Sequence, residues 1–171
     1  AEANSVLVQV LEDLAQEPMV RHEAAEALGA IASPEAVAIL EKFHQDPVVE
    51  VAETCELALA RIKWLQSAEA ESVSLRSRYN SVDPAPPATS TNVAELKTLL
   101  LDEDRSLFDR YRAMFALRNI GTREAVVALG AGFQCSSALF KHEIAFVLGQ
   151  MQDEDSVLFL KESLEDGGEN E

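Results

Sequence analysis

The chain contains 171 residues, of which 47% are hydrophobic and 6% aromatic, and its formal net charge at pH 7 is −16. This length can hold one compact domain or two small lobes, and a composition rich in Ala, Leu and Val favours closely packed helices over a β-sandwich. The negative charge argues against direct binding to nucleic acid, because an acidic surface repels phosphate groups.

Segments with apolar residues at helical spacing follow one another along the chain in pairs. The first segments of these pairs lie at Asn4–Ala15, Pro34–Phe43, Val93–Leu101, Arg123–Gly132 and Ser156–Leu164. The second segments lie near 20–31, 51–65, 109–120 and 140–151. Helix pairs that recur at a spacing of about 31 residues are typical of HEAT-type α-solenoids. The sequence therefore predicts an all-α fold in which the second helices line a concave face.

The helical spacing is interrupted between Gln66 and Asn92, where proline and serine are frequent. Such a composition is typical of an extended or mobile linker. We therefore predict HEAT repeats of an N-terminal lobe at 1–65, a linker at 66–92 and HEAT repeats of a C-terminal lobe at 93–171.

The sequence also indicates a cytoplasmic protein. No run of residues approaches the length of a membrane span, so we expect no membrane association. Cys55 falls on a predicted helix and Cys135 in a connection, and two cysteines without CxxC spacing favour a reduced compartment over a disulfide framework.

A histidine followed by a glutamate occurs at the same place in two of the predicted second helices. The pairs His22-Glu23 and His142-Glu143 are 120 residues apart (142 − 22 = 120), and each precedes the same apolar pattern with a Leu-Gly step. The other two second helices have Glu53-Thr54 and Tyr111-Arg112 at the matching positions, so the fold itself does not require His-Glu. A single pair of this kind is usually a solvated polar position. Its repetition predicts a metal site shared between the two halves.

The donor atoms of these pairs limit which metal ions the site can bind. Imidazole nitrogen combined with carboxylate oxygen suits iron, manganese or zinc better than calcium or magnesium. Adjacent side chains on a helix point about 100° apart, so one helix cannot easily offer both to the same ion. We expect each histidine to bind one ion, while its glutamate reaches a neighbouring ion, supports the site or binds substrate.

The surroundings of the pairs give two further expectations. His22 and His142 should face the concave side, where packing does not depend on them, whereas His44 has no counterpart in the repeat and is predicted to lie on the surface. Glycine inside a helix costs about 1 kcal/mol relative to alanine. Gly29 and Gly149, which follow the two pairs, therefore indicate close approach of a neighbour or a ligand.

The residues around the pairs closely resemble the deoxyhypusine hydroxylases, a family of HEAT-repeat di-iron monooxygenases. The segments that carry the resemblance are 17–31, 110–119, 137–143 and the proline-rich stretch 81–87. The family implies O2-dependent hydroxylation of the deoxyhypusine side chain of translation initiation factor 5A, which forms hypusine, at a centre of two Fe2+ ions. A cationic substrate of this kind fits the acidic charge of the chain.

The resemblance also implies roles for individual residues. Family members carry four His-Glu motifs, two in each lobe; His22 matches the second motif of the first lobe, and His142 matches the first motif of the second. We therefore expect an internal portion of the enzyme that is inactive alone. The predicted metal ligands are His22, Glu23, His142 and Glu143, and no catalytic residue beyond them is predicted. Glu23 is in addition assigned to the ammonium of the substrate.

One alternative from a different functional class stays open at this stage. A HEAT array can serve as a non-catalytic scaffold that binds a protein partner on its concave face. The metal content of the full-length protein would distinguish the scaffold from the di-iron enzyme.

Overall fold

The computed structural model describes residues 2–72 and 79–168, and the regular structure within these ranges is entirely helical. The predicted all-α fold of HEAT type is therefore confirmed. The α-helices are α1 (Glu2–Glu12), α2 (Pro18–Ile31), α3 (Pro34–Phe43), α4 (Val49–Leu65), α5 (Ala68–Ser72), α6 (Val93–Leu101), α7 (Leu107–Ile120), α8 (Arg123–Gly130), α9 (Ala138–Met151) and α10 (Val157–Glu165). Short 3₁₀ turns follow α8 at Ala131–Gln134 and precede α10 at Glu154–Ser156.

The second helices α2, α4, α7 and α9 each begin two residues before their predicted start and end where predicted. Proline or a serine cap marks the start of three of these helices, and α4 has neither. Pro18 opens α2, where a missing N–H is harmless. The side chains of Ser106 and Ser137 accept hydrogen bonds from Asp109 N and Phe140 N at the starts of α7 and α9. The apolar pattern therefore located the ends of these helices better than their starts.

The chain divides into two compact units, and the first contains α1–α5 together with Val82–Ala85. Its core is formed by buried aliphatic residues of α1–α4, among them Leu11, Leu28, Leu40, Val51 and Ile62. Helices α2 and α4 approach closely, since a Cβ atom on Gly29 would lie 2.6 Å from Ala58 Cβ. The predicted close approach is thus confirmed at Gly29. At Gly149 it is not, because a Cβ atom there would meet no atom of the described residues within 4 Å.

The second unit contains α6–α10 together with residues 79–81 and the chain that begins at Pro86. Aromatic side chains occupy its centre, with the rings of Tyr111 and Phe140 at a centroid distance of 5.5 Å. The fully buried Arg118 lies 4.8 Å from the ring centroid of Phe115 and donates to Gln150 Oε1 at 2.9 Å. Its guanidinium also lies 4.7 Å from the ring centroid of Tyr79, which stabilises the buried charge by a cation–π contact.

The predicted linker contains residues that pack against protein. The segment contains the short helix α5, and Ala85 is fully buried. The half-buried Asp83 accepts a hydrogen bond from Arg61 Nε through its backbone oxygen, at 3.1 Å. The part of the predicted linker at 73–78 lies outside the described residues. The lobe boundaries 1–65 and 93–171 stay a prediction.

None of the described helices combines the length and the hydropathy needed to cross a bilayer.

Candidate metal centre

His22 lies on α2 and is buried against α4. Only 1% of the residue is exposed, and its Nδ1 atom lies 2.9 Å from Thr54 Oγ1 on α4. The close approach of α4 brings the hydroxyl of Thr54 within hydrogen-bond distance of the ring. That His22 faces the concave side, where packing does not depend on it, stays a prediction.

Glu23 turns back toward the histidine that precedes it. Its carboxylate Oε1 lies 3.6 Å from His22 Nε2, although its side chain is 65% exposed. Metal bonds to such ligands are about 2.0–2.2 Å long, so two donor atoms at this separation can bind one ion. The expectation that adjacent side chains of one helix point too far apart to share a metal is corrected for this pair. The 100° divergence applies at Cβ, and the three side-chain torsions of glutamate compensate for it.

A further carboxyl group, Glu26, lies one helical turn beyond the pair and was not predicted from the sequence. Burial raises the pKa of Glu26 to about 7, and the negative charges of Glu23 and Asp83 add to the shift. A carboxyl group with this pKa can hold a proton near neutral pH and release it to a base. The sequence signal for Glu26 was its position four residues after His22, which places both on the same face of α2.

The second pair lies on α9 with the opposite pattern of exposure. His142 is exposed, whereas Glu143 is buried and only 5% accessible. Carboxylates are kept in protein interiors when they are paired, hydrogen-bonded or bound to a cation. The two residues therefore have different surroundings, as the helical rotation between adjacent positions requires. His44 is exposed at the end of α3, which confirms its predicted place on the surface.

The basic residue before His22 has a structural role that the sequence pattern did not reveal. Arg21 is buried, and its Nε atom donates to Leu11 O at 3.0 Å at the end of α1. Its other nitrogens donate to the carboxylate of Asp46, and this hydrogen bond holds the pKa of Asp46 below its usual range. Arg110 occupies the matching position of α7 and donates in the same way to Leu100 O at 3.0 Å. In both repeats, the arginine connects the second helix of the repeat to the end of its first helix by a hydrogen bond.

Comparison with known protein families supports the repeat assignment. The model of HEAT repeats matches residues 1–60, and the model of the PBS lyase HEAT-like repeat matches residues 109–135 and 140–166.

Curated relatives named deoxyhypusine hydroxylase match almost the whole chain. The protein of Drosophila melanogaster is 58% identical over 172 residues, which cover 100% of this chain and 56% of the relative. The Gallus gallus protein is 60% identical over 164 residues, covering 96% of this chain and 54% of the relative. The Homo sapiens protein is 57% identical over 157 residues, covering 92% and 51% respectively. The chain thus spans about half the length of the curated relatives it matches.

A solved structure agrees with these matches. The structure of human deoxyhypusine hydroxylase in complex with glycerol superposes with a TM-score of 0.94 at 54% sequence identity, covering 99% of this chain and 58% of that chain. By sequence identity and by fold, the chain belongs to the deoxyhypusine hydroxylase family of HEAT-repeat proteins.

Proposed function

We propose that this chain is part of an enzyme that uses O2 and a di-iron centre to hydroxylate the deoxyhypusine side chain of translation initiation factor 5A, forming hypusine. The observation that carries the proposal is the convergence of His22 Nε2 and Glu23 Oε1 at 3.6 Å on a helix of this family. The proposal includes a cytoplasmic location and excludes nucleic acid and membranes as partners.

The donor set fits iron in its Fe2+ state. A neutral imidazole and a carboxylate are common ligands of non-haem iron, and the four proposed ligands His22, Glu23, His142 and Glu143 provide two of each. Bound iron would supply the activation of O2 that insertion of oxygen into a C–H bond requires. The contribution of the chain is to hold the donor atoms and to provide negative charge around them.

The carboxylates also suit a cationic substrate. Deoxyhypusine carries amines on a long flexible arm, and histidine cannot neutralise an ammonium group, whereas glutamate can form a charge-assisted hydrogen bond with it. Glu23 is exposed enough to meet an incoming side chain, and the net charge of −16 favours approach of a cation. Glu26, whose pKa is raised to about 7, can hold a proton one turn from the proposed ligands.

The direct test is an assay of the full-length protein loaded with Fe2+. Incubation with O2 and a deoxyhypusine-containing factor 5A should add one oxygen atom to the modified lysine, as measured by peptide mass spectrometry. His22→Ala and His142→Ala should each reduce the product by at least about 100-fold, a loss of more than ~2.7 kcal/mol of transition-state stabilisation. His44→Ala is the matched control and should retain near-normal activity. An iron-free, inactive full-length protein would favour the scaffold alternative.

A further inference from the structure

Thr54 links His22 to the backbone of the neighbouring helix. It lies on α4 and is 3% exposed, and its Oγ1 atom is 2.9 Å from His22 Nδ1. The same Oγ1 donates a hydrogen bond to the backbone oxygen of Glu50, one turn earlier, at 2.7 Å. A single hydroxyl thus contacts both the ring and a carbonyl group.

These two contacts determine which ring nitrogen of His22 carries the proton. A threonine hydroxyl has one hydrogen, and the carbonyl of Glu50 can only accept, so that hydrogen points away from the histidine. Thr54 Oγ1 therefore presents a lone pair to His22, and Nδ1 must be the donor. A neutral imidazole with its proton on Nδ1 has its lone pair on Nε2, the nitrogen that faces Glu23 Oε1.

We propose that Thr54 is a positioning residue that fixes the tautomer and the ring orientation of His22, so that Nε2 is the atom offered to the metal. The identity of the ion rests on the proposed function, whereas the tautomer does not. Histidines that bind metals commonly donate their second N–H to a protein acceptor, and loss of that acceptor lowers metal affinity by about 10–100-fold.

The repeat architecture explains why the hydrogen-bond acceptor for His22 comes from the next repeat. Thr54 occupies in α4 the position that Glu23 occupies in α2 (54 − 23 = 31). Gly29 lies two turns after His22 and Ala58 one turn after Thr54, so their tight contact is on the helix faces that carry these residues. The missing side chain at Gly29 allows the short hydroxyl of Thr54 to reach the ring. Helix α4, which carries no His-Glu pair, thereby orients the histidine of the neighbouring helix α2.

The tautomer can be read directly by NMR in the metal-free chain. Long-range 1H–15N spectra distinguish protonated from unprotonated ring nitrogens. The chain has three histidines, and replacing the exposed His44 and His142 in turn assigns the signals. We expect His22 to show a protonated Nδ1 and an unprotonated Nε2. A protonated Nε2 in the neutral wild-type ring would overturn the proposal without any variant.

Two variants separate the hydroxyl from the shape of the side chain. Thr54→Val keeps the volume but removes the acceptor, and the proton of His22 should then be found partly on Nε2. Thr54→Ser keeps the hydroxyl and should restore the wild-type spectrum. The matched control is Thr98→Val on α6, because Thr98 Oγ1 also donates to the carbonyl four residues earlier, at 3.0 Å, but is exposed and lies on a helix that carries neither His-Glu pair. An unchanged His22 tautomer in Thr54→Val would contradict the role of Thr54.

Iron binding by the full-length protein provides the second readout. Anaerobic titration with Fe2+ should give a dissociation constant about 10–100-fold weaker for Thr54→Val and within about threefold of wild type for Thr54→Ser. If wild type fails to bind iron while the tautomer changes as expected, the proposed function is wrong and the positioning of His22 stands. If wild type and Thr54→Val bind iron equally well, the positioning role is wrong and the proposed function stands.

Discussion

Glu23 is the residue whose role depends most directly on side-chain geometry. Sequence reasoning assigned it both to the metal and to the substrate ammonium. Its distance of 3.6 Å from His22 Nε2 favours metal binding, because both atoms can reach one ion. A carboxylate in that position also balances the charge of the ion, which an amide oxygen cannot do.

We therefore expect Glu23→Gln in the full-length protein to lower iron content and substrate binding together. Glutamine has the same shape but no charge, so the loss should be about 10-fold or more in iron affinity, or ~1.4 kcal/mol. Iron measured by mass spectrometry after gel filtration, with isothermal titration of the substrate, tests this expectation. Full iron occupancy with weakened substrate binding would instead assign Glu23 to the substrate alone. Glu41→Gln, at an exposed position of α3, is the control.

Glu26 makes the stability of the metal-free chain depend on pH. Its pKa is raised from 4.5 to about 7 on folding, so the folded chain binds an additional proton between these values. The free energy of unfolding therefore falls as the pH rises through this window and is not recovered above it.

Glu26→Gln removes this dependence because glutamine does not ionise. We expect the variant to be more stable than wild type near pH 8, by on the order of 1–2 kcal/mol, and nearly equal to it near pH 5. Urea unfolding at the two pH values measures the difference, and Glu41→Gln should show none of it. A gain of the same size at both pH values would mean that the carboxyl group stays ionised when folded.

At the scale of helices, the sequence was sufficient for the ends of the second helices and insufficient for their starts, for helix α5 and for contacts between distant segments. The ends of α2, α4, α7 and α9 agree with prediction because apolar residues continue to the last turn. The starts of all four were missed by two residues; proline opens α2 and serines cap α7 and α9, whereas α4 has no such residue at its start. Helix α5 has no apolar period to reveal it, and the contact of Arg61 with Asp83 joins residues 22 positions apart by tertiary packing.

The two helix-interior glycines provide a paired test of packing, since they occupy the same place in the repeat. Gly29→Ala would force its Cβ to within 2.6 Å of Ala58 and should destabilise the chain by about 1–3 kcal/mol. Gly149→Ala meets no described atom within 4 Å and should stabilise it by up to about 1 kcal/mol, through the better helix propensity of alanine. Thermal unfolding followed by circular dichroism compares them. Equal effects of the two substitutions would refute the close packing of α2 on α4.

For the whole molecule, the positions of the candidate site residues could be predicted from the sequence, but the contacts among their side chains could not. The repeated pairs at His22 and His142 were visible because identical polar residues recurred where the fold does not need them. The convergence of Glu23 on His22 depends on side-chain torsions, and the support from Thr54 depends on the distance between two helices. Neither the side-chain torsions nor the distance between the helices can be recognised from periodic patterns in the sequence.

The last prediction concerns iron binding by the 171-residue chain itself. Its two His-Glu pairs offer four proposed ligand side chains, or two for each of the two proposed irons, whereas catalytic metal sites usually have three protein ligands or more per ion. We therefore expect the chain to bind Fe2+ weakly, with little metal retained after gel filtration under anaerobic conditions. His22→Ala should remove what binding remains, because it takes away the buried donor whose ring is held by Thr54, while the exposed His44→Ala should not change it. Retention of two tightly bound irons per chain would show that these four side chains suffice, and that the further motifs implied by the family resemblance are not needed to hold the metal.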